Sequence, residues 1–296
     1  MSDLSIGARH EAALHRLRFI AWTFSASASS LFGLVLVLGF LLLAAIGPSL
    51  VPYPLDAVGA IHLAQRLQPP SSLHWFGTDE MGDDIFTRVV VGTRTSLWIG
   101  LTITGIAMAI GVPLGLASGY RGGHVRSIIM RTTDVFLAVP GLVLALAIVA
   151  ALGPGILHGV LALSFVWWPG YVRLIEAKAL TLRGEAYVEA ARTMGAGHAW
   201  ILIRHILPNC FSPLVVKASM DMGLAILAAA SLGFIGLGAK PPAPEWGAMI
   251  SVARSYMPDW WWYSFFPGLF IFLTVLGFNL FGDGLRDMLD PRSARG

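Results

Sequence analysis

Long stretches without a charged residue dominate the pattern of this chain. A helix needs about 20 mostly apolar residues to cross about 30 Å of hydrocarbon. Four apolar runs predict such helices at residues 31–51, 96–118, 213–238 and 260–281. A further charge-free stretch of 38 residues, between Asp134 and Arg173, predicts two short spans separated by the breaker at residues 153–155. The pattern therefore predicts an all-α, polytopic membrane protein with six transmembrane helices.

The distribution of Lys and Arg predicts which loops face the cytoplasm. If the loops alternate between the two sides, 15 of the 20 basic residues fall on the side of the termini and five on the other. Basic residues are enriched in cytoplasmic loops, so both termini are predicted to be cytoplasmic. The resulting division has an N-terminal tail 1–30, a membrane domain 31–283 with an external loop 52–95 and a cytoplasmic loop 176–212, and a C-terminal tail 284–296.

The composition excludes a soluble globular enzyme. Hydrophobic residues make up 56% of the chain and charged residues 12%, where soluble domains carry about 25% charged residues. The net charge of +3 does not indicate a nucleic-acid partner, because most of the basic residues lie on the predicted cytoplasmic side of the membrane.

Basic residues before the first apolar run also fit a signal peptide, but that run is too long, so an uncleaved anchor is predicted. The single cysteine, Cys210, cannot form an internal disulfide.

The external loop contains a group of acidic residues around a predicted helix start. Thr78 is a candidate N-cap, followed by Asp79 and Glu80 at the positive end of the helix. Met81, Ile85 and Val89 would then form an apolar stripe on the membrane surface. The acidic residues also suggest calcium, but a ligand loop is lacking, and a capped and solvated interfacial helix is preferred.

The cytoplasmic loop 176–212 predicts a protruding helix-turn-helix. Residues 185–194 are strong helix formers, Gly195 and Gly197 interrupt them, and a second amphipathic helix reaches Pro208. The small side chains of Ala190 and Ala191 would let a partner approach closely. An ordinary loop hairpin is the alternative that composition alone leaves open.

The same loop resembles the signature of permease subunits of ATP-binding-cassette importers. That signature is Glu-Ala-Ala, three residues, Gly, nine residues, and a hydrophobic-Leu-Pro end. The matching residues are Glu189, Ala190, Ala191, Gly195, Leu207 and Pro208. His205 stands at the hydrophobic position, with Ile206 after it. The resemblance implies that this loop contacts an ATPase, through Glu185, Glu189, Ala190, Ala191, Arg192, Gly195, Leu207 and Pro208.

Further segments resemble the C-type permeases of the dipeptide, oligopeptide and nickel branch of that family. They are the Gly77-Thr78-Asp79 segment with Gly82 and Asp84, and residues 168–173, 231–238 and 241–247. Asp83 departs from the family, which usually has a basic residue there. The resemblance implies a multi-pass protein of the bacterial cytoplasmic membrane whose partners are a homologous second permease, two cytoplasmic ATPases and an extracytoplasmic solute-binding protein.

No catalytic group or cofactor is expected in this chain. None of the three lysines follows a glycine, so a phosphate-binding P-loop is absent from the sequence, and ATP would be bound by the partner subunits. An intramembrane enzyme is disfavoured because Asp221 is the one acid well inside a predicted span. His198 and His205 are seven residues apart, but no carboxylate or thiolate accompanies them at ligand spacing, so no metal is expected.

The candidate substrate pathway rests on four residues in the predicted spans. Asp221 is ionisable and stands four residues after Lys217, which indicates either a structural ion pair or a gating role. Gly233 and Gly236 belong to a stretch of small residues that could pack helices or line a pathway, and Pro169 could kink its helix. The predicted function is alternating-access peptide import driven by partner ATPases. Import of nickel or another small solute is the alternative, and an ATP-independent carrier or channel is less favoured.

Overall fold

A computed structural model describes residues 27–289, and this part of the chain is helical, with one isolated bridge between Thr78 and Asp84. No β-strand occurs within these residues, so the all-α prediction is confirmed there. The helices are α1 (Ala28–Leu50), α2 (Ile85–Arg121), α3 (Gly123–Leu137), α4 (Gly141–Leu152), α5 (Ile156–Leu182), α6 (Ala186–Thr193), α7 (His198–Ile201), α8 (Leu207–Phe234), α9 (Trp246–Ala253) and α10 (Trp261–Leu289). Short 3-10 turns lie at Pro54–Val58, Leu63–Gln65 and Arg254–Tyr256, and a π turn at Leu202–Ile206 joins α7 to α8.

Within residues 27–289, four helical segments are long and apolar enough to cross a membrane. They are Ala28–Leu50, Ile85–Arg121, His198–Phe234 and Trp261–Leu289. The number rises to five if α3 and α4, which meet at an 84° bend, form one broken span. Helix α5 has 27 residues, but the charged Arg173, Glu176 and Lys178 in its second half lower its mean hydropathy. Length and composition therefore support four or five spans.

Two helices extend beyond the predicted spans. Helix α2 begins at Ile85 and contains the predicted span 96–118, and α10 continues to Leu289, into the predicted tail 284–296. The helical path also continues past Pro208, which lies in the first turn of α8 directly after the π turn. A proline is tolerated in a first turn, and the wider π turn before it relieves the clash with the preceding carbonyls. The predicted tail 1–30 lies almost entirely outside the described residues.

Helices α2 and α5 pack with their backbones in close contact because α2 carries a ladder of glycines. A Cβ atom added to any of these glycines would come within 2.5–2.8 Å of α5. The glycines, each four residues from the next, are Gly111, Gly115 and Gly119, and the α5 carbonyls that they face belong to Trp168, Val172 and Glu176. This is the small-residue packing that lets membrane helices approach closely.

Helix α1 packs on α10 through one face and exposes the other. Gly33 lies against the backbone of α10, where an added Cβ would stand 2.5 Å from the nitrogen of Phe281. Gly277 of α10 lies in turn against Leu36. The opposite face of α1 is apolar and exposed, as a lipid-facing surface requires. Its residues are Leu31, Phe32, Val35, Leu38, Leu41, Leu42 and Ile46.

Candidate functional site

The predicted helix-turn-helix loop is present, and a glycine ends its first helix. Glu185 is the N-cap residue of α6, which runs to Thr193. Gly195 has a φ of +81°. Its N–H bonds to the carbonyl of Arg192, and the N–H of Ala196 bonds to the carbonyl of Ala191. These two bonds form a Schellman motif, in which the left-handed position strongly favours glycine.

Helix α6 exposes one side and buries the other. Glu189, Ala190 and Arg192 are exposed, whereas Val188 and Ala191 are buried in a cluster formed with α5 and the end of α2. The prediction that both alanines lie on the surface is therefore wrong for Ala191. Its side chain packs α6 against the rest of the protein. The side offered to a partner carries Glu185, Glu189, Ala190 and Arg192.

Large apolar side chains surround this exposed side of α6. Met194 is 82% exposed, and Tyr187, Trp200 and Ile203 are also exposed. At the far end of the loop, Leu207 is half-buried and Pro208 is exposed. The loop therefore combines exposed charged residues with exposed apolar side chains.

Tyr120, near the end of α2, joins α2 to both sides of the turn at Gly195. Its hydroxyl lies 3.0 Å from Nδ1 of His198, and the guanidinium of Arg192 lies 5.5 Å from the centre of its ring. Arg183 donates to the carbonyls of Gly119 and Tyr120 and so satisfies the end of α2. The turn at Gly195 is therefore in contact with α2, which in turn packs on α5 through the glycine ladder.

The predicted ion pair within α8 is present. Nζ of Lys217 lies 3.2 Å from Oδ1 and 3.1 Å from Oδ2 of Asp221, and it also lies 5.0 Å from the centre of the Tyr171 ring. Both groups line an open cleft of about 610 Å³ between α5, α8 and α10. Lys178 and Arg286 also line this cleft, which makes its wall basic.

The other candidate pathway residues have structural explanations. Gly233 lies against the start of α9, where an added Cβ would stand 2.8 Å from Oε2 of Glu245. Gly236 follows the end of α8 with a φ of +87°, which favours glycine. Pro169 is buried within α5. Packing and chain reversal therefore account for both glycines.

In the external loop, Asp84 caps α2, and the prediction that Thr78 is the N-cap is wrong. Oδ1 of Asp84 accepts from the N–H of Thr87 at 2.7 Å. Thr78 instead donates to the carbonyl of Gln65 and accepts from the N–H of Gln68, which folds the loop back on itself. The predicted interfacial stripe is also wrong, because Ile85 and Val89 are fully buried.

The prediction of solvated acidic residues is wrong for Asp79, Asp83 and Asp84, which are buried, whereas Glu80 is half-buried. Asp56, Asp79, Asp83 and Asp84 are each at most 2% exposed. Arg88 lies among them, with Nη1 2.7 Å from Oδ2 of Asp83 and Nε 3.5 Å from Oδ2 of Asp79. Burial raises the pKa of Asp79 to about 6, although the Arg88 guanidinium opposes the shift. Burial likewise raises the pKa of Asp83 above its usual value.

A group that the sequence did not predict is formed by Asp56, His62 and Asp83. One ligand atom from each lies within 4.8 Å of the others. Asp56 and Asp83 are 27 positions apart in the chain, so no spacing motif could have revealed the group. The one sequence feature that could have drawn attention to this group is Asp83, an acid at a position where the resembling family usually has a basic residue.

The shape of the chain is that of an ABC importer permease. It matches two inward-facing crystal forms of the MetNI methionine ABC transporter with TM-scores of 0.55 and 0.56. Those matches cover 69% and 70% of this chain and 97% and 98% of the transporter chains, at 19% identity. At that identity the likeness concerns the fold alone.

The chain belongs to the family described as the binding-protein-dependent transport system inner membrane component, which matches residues 111–295. Residues 18–70 match the N-terminal TM domain of oligopeptide transport permease C. The protein is thus a multi-pass permease of the bacterial inner membrane, and it is a non-enzymatic component of its transporter.

Curated relatives are similar to this chain over most of its length. A probable D,D-dipeptide transport system permease of Escherichia coli strain K12 is 48% identical over 93% of this chain and 91% of its own length. A dipeptide transport system permease of Alkalihalophilus pseudofirmus is 44% identical over 88% and 84%. A glutathione transport system permease of Pectobacterium atrosepticum is 49% identical over 82% and 80%.

Proposed function

We propose that this protein is the C-type permease subunit of an importer for short peptides. The relatives named above are permeases for D,D-dipeptides, dipeptides and glutathione, which share peptide-like bonds and a free carboxylate. The basic wall of the cleft beside Asp221, which includes Lys178 and Arg286, would attract such a carboxylate. In this proposal the chain crosses the membrane six times, with α4 and α5 as the third and fourth spans, and both termini are cytoplasmic.

The partners proposed are a homologous second permease, two cytoplasmic ATPases that bind the ATP, and an extracytoplasmic solute-binding protein. The observation that carries the ATPase contact is the exposed side of α6, where Glu189 and Arg192 are flanked by the exposed Met194 and Trp200. Apolar anchors with charges at the rim are typical of specific docking surfaces. No cofactor is proposed for this chain.

The proposed mechanism is alternating access by rigid-body motion. ATP-driven closure of the ATPases would draw the helix-turn-helix loops of the two permeases together. Because Tyr120 ties the loop to α2 and the glycine ladder ties α2 to α5, these helices would move as one unit. The pathway would then open outward, and ATP hydrolysis would reset it inward. The chain contributes geometry and binding surfaces to this cycle.

Reconstitution tests the proposal. The full chain, purified in mild detergent from cells that express its partner genes, should bring the second permease and the ATPases with it. Proteoliposomes of that complex, given binding protein and ATP, should accumulate a labelled dipeptide but not a nickel chelate. Uptake by this chain alone without ATP would contradict the importer, and uptake of nickel in place of dipeptide would contradict the substrate class.

A further inference from the structure

Three separate parts of the external loop meet at one point before α2. Asp56 belongs to the turn Pro54–Val58, His62 follows that turn, and Asp83 precedes the cap residue of α2. Oδ1 of Asp56 lies 3.2 Å from Nε2 of His62, and one ligand atom from each of the three residues lies within 4.8 Å of the other two. Two carboxylates and an imidazole therefore converge from a chain segment of 28 residues.

Asp83 is incompletely satisfied at this point. It is fully buried, and its Oδ2 accepts from Nη1 of Arg88 at 2.7 Å. Its Oδ1 is buried and has no hydrogen-bond partner in the part of the chain that the structure describes. A buried polar atom without a partner destabilises the folded state, and more so when it is charged. An additional positive group at Oδ1 would remove that cost.

The net negative charge around Asp56, His62 and Asp83 also favours a bound cation. Four buried aspartates, at positions 56, 79, 83 and 84, lie in this part of the loop, and the guanidinium of Arg88 contacts the carboxylates of two of them, Asp79 and Asp83. With the imidazoles of His62 and His74 neutral, these groups carry a net charge of −3. Buried charges are normally paired or coordinate a metal. A divalent cation would offset two of the three remaining negative charges.

We propose that Nε2 of His62 and one carboxylate oxygen each of Asp56 and Asp83 bind a divalent transition-metal cation on the external side of the membrane. The mixed nitrogen and oxygen donors suit Zn²⁺ or Mn²⁺, whereas Ca²⁺ prefers a shell of oxygens. Zinc bonds of about 2.0–2.1 Å set tetrahedral ligands about 3.3 Å apart. The Asp56–His62 pair already has this separation, and the Asp83 oxygen would move inward.

The surroundings of the site would hold its ligands and let the metal enter. The second oxygen of Asp56 accepts from the backbone N–H of Asp84 at 2.7 Å, and Arg88 holds the second oxygen of Asp83. Hydrogen bonds to the outer atoms of ligands orient them. The side chain of His62 is 45% exposed, which leaves an entry path and room for a water as fourth ligand.

The bound metal would fasten the external loop to the start of α2. Asp56 lies in the turn that packs on α2, His62 follows that turn, and Asp83 adjoins the Asp84 cap. Metal binding to the folded loop alone would stabilise it. The proposed site lies apart from the ATPase-docking loop and adds a function that peptide import does not require.

Metal content tests the site directly. The full chain, purified in detergent with a tag that contains no histidine, is stripped with EDTA, incubated with ZnCl₂ or MnCl₂, passed through a desalting column and analysed by mass spectrometry. One Zn²⁺ or Mn²⁺ per chain should remain. His62→Gln should weaken binding by at least about tenfold, the usual effect of disturbing a metal shell, because it removes the exposed ligand without burying a new charge.

Matched variants separate the site from general effects. His124→Gln and Asp259→Asn alter an exposed histidine and an exposed aspartate elsewhere, and both should keep the metal. Asp83→Asn should lose it, and if that variant fails to fold, His62→Gln decides the question. Retention of less than about 0.1 Zn²⁺ or Mn²⁺ per chain by the unaltered protein, or undiminished binding by His62→Gln, would overturn the proposal. So would a parallel incubation with CaCl₂ in which the protein retained Ca²⁺ but neither of the other two metals. The measurement involves no transport, so its failure leaves the importer proposal intact.

Discussion

Gly195 and Gly197 are two residues apart in the same turn, but only Gly195 has a backbone conformation that favours glycine. Gly195 has a φ of +81°, whereas Gly197 has a φ of −66°, which any residue adopts. Around both positions there is open space among the described residues, since an added Cβ would meet no atom within 4 Å. The difference between them is therefore one of backbone conformation and not of space.

We expect Gly195→Val to abolish most of the uptake and Gly197→Val to preserve it. A β-branched residue in the left-handed region costs at least about 1–2 kcal/mol, so the native turn would be populated roughly tenfold less. ATP-dependent dipeptide uptake by reconstituted complexes, normalised to the amount of inserted permease, measures this. Equal uptake by the two variants would show that the turn plays no part in coupling.

The Lys217–Asp221 pair permits a residue-level test of structure against gating. Asp221 is buried and Lys217 half-buried, so Asp221→Asn leaves an unpaired ammonium beside the Tyr171 ring. We expect the double variant Asp221→Asn/Lys217→Gln to lose less stability than the sum of the losses of the two single variants. The difference, which is the coupling energy of the pair, should be about 0.5–3 kcal/mol. Thermal unfolding of the four proteins measures it.

Uptake by the same four proteins distinguishes the two roles of Asp221. If the pair is only structural, the double variant should regain both stability and uptake. If Asp221 also gates the pathway, the double variant should be stable but inactive. Additive stability effects, with normal uptake in both single variants, would remove both roles.

At the scale of elements, contacts between helices rather than local signals decide how α2 sits in the fold. The glycine ladder brings α2 within backbone contact of α5, and the same helix ends beside the helix-turn-helix loop. Gly105 lies on the same helix but faces outward, with open space around it among residues 27–289. The two positions make a matched pair.

We expect Gly115→Leu to destabilise the protein and Gly105→Leu to have little effect. A side chain at position 115 would meet the Val172 carbonyl and the Ile175 side chain at 2.8 Å, and overpacking of this kind costs about 1–3 kcal/mol. Fluorescence-detected thermal unfolding in detergent compares the two. A similar loss of stability in both variants would mean that helix propensity, and not the α2–α5 contact, is responsible.

Local signals nevertheless predicted several elements correctly. Residues 153–155 break the chain between α4 and α5, and α6 occupies the predicted strong formers before Gly195. The cap of α2 was predicted wrongly because Thr78 and Asp84 both have cap chemistry. Tertiary contacts select Asp84: its N–H bonds to Asp56, 28 residues earlier, while Thr78 is engaged by Gln65 and Gln68.

At the scale of the whole molecule, the division of the loops between the two sides of the membrane can be tested by labelling. Cys210 is buried, so Cys210→Ala provides a background without reactive thiols. Gln65 and Ser127 are both exposed, in the external loop and in α3 respectively. We expect a membrane-impermeant maleimide to label Gln65→Cys in intact spheroplasts and Ser127→Cys only after the membrane is broken. The reverse pattern would invert the predicted topology.

The sequence by itself determined the class of this protein. Its charge-free runs are long enough for membrane helices, its basic residues are divided 15 to 5 between the predicted sides, and the spacing from Glu189 to Pro208 is that of an importer permease. These features are local or compositional, and they hold wherever the segments lie in space. They required no knowledge of which residues meet.

The tertiary structure alone decided which charges and small residues share a site. In the folded chain Ala191 is buried, Gly233 packs against the start of α9, and Asp56, His62 and Asp83 lie close together. These outcomes depend on contacts between segments up to 28 residues apart or on different helices. A lone acid or glycine in a sequence is compatible with many partners, and only the packed chain determines which of them lies within a few ångströms.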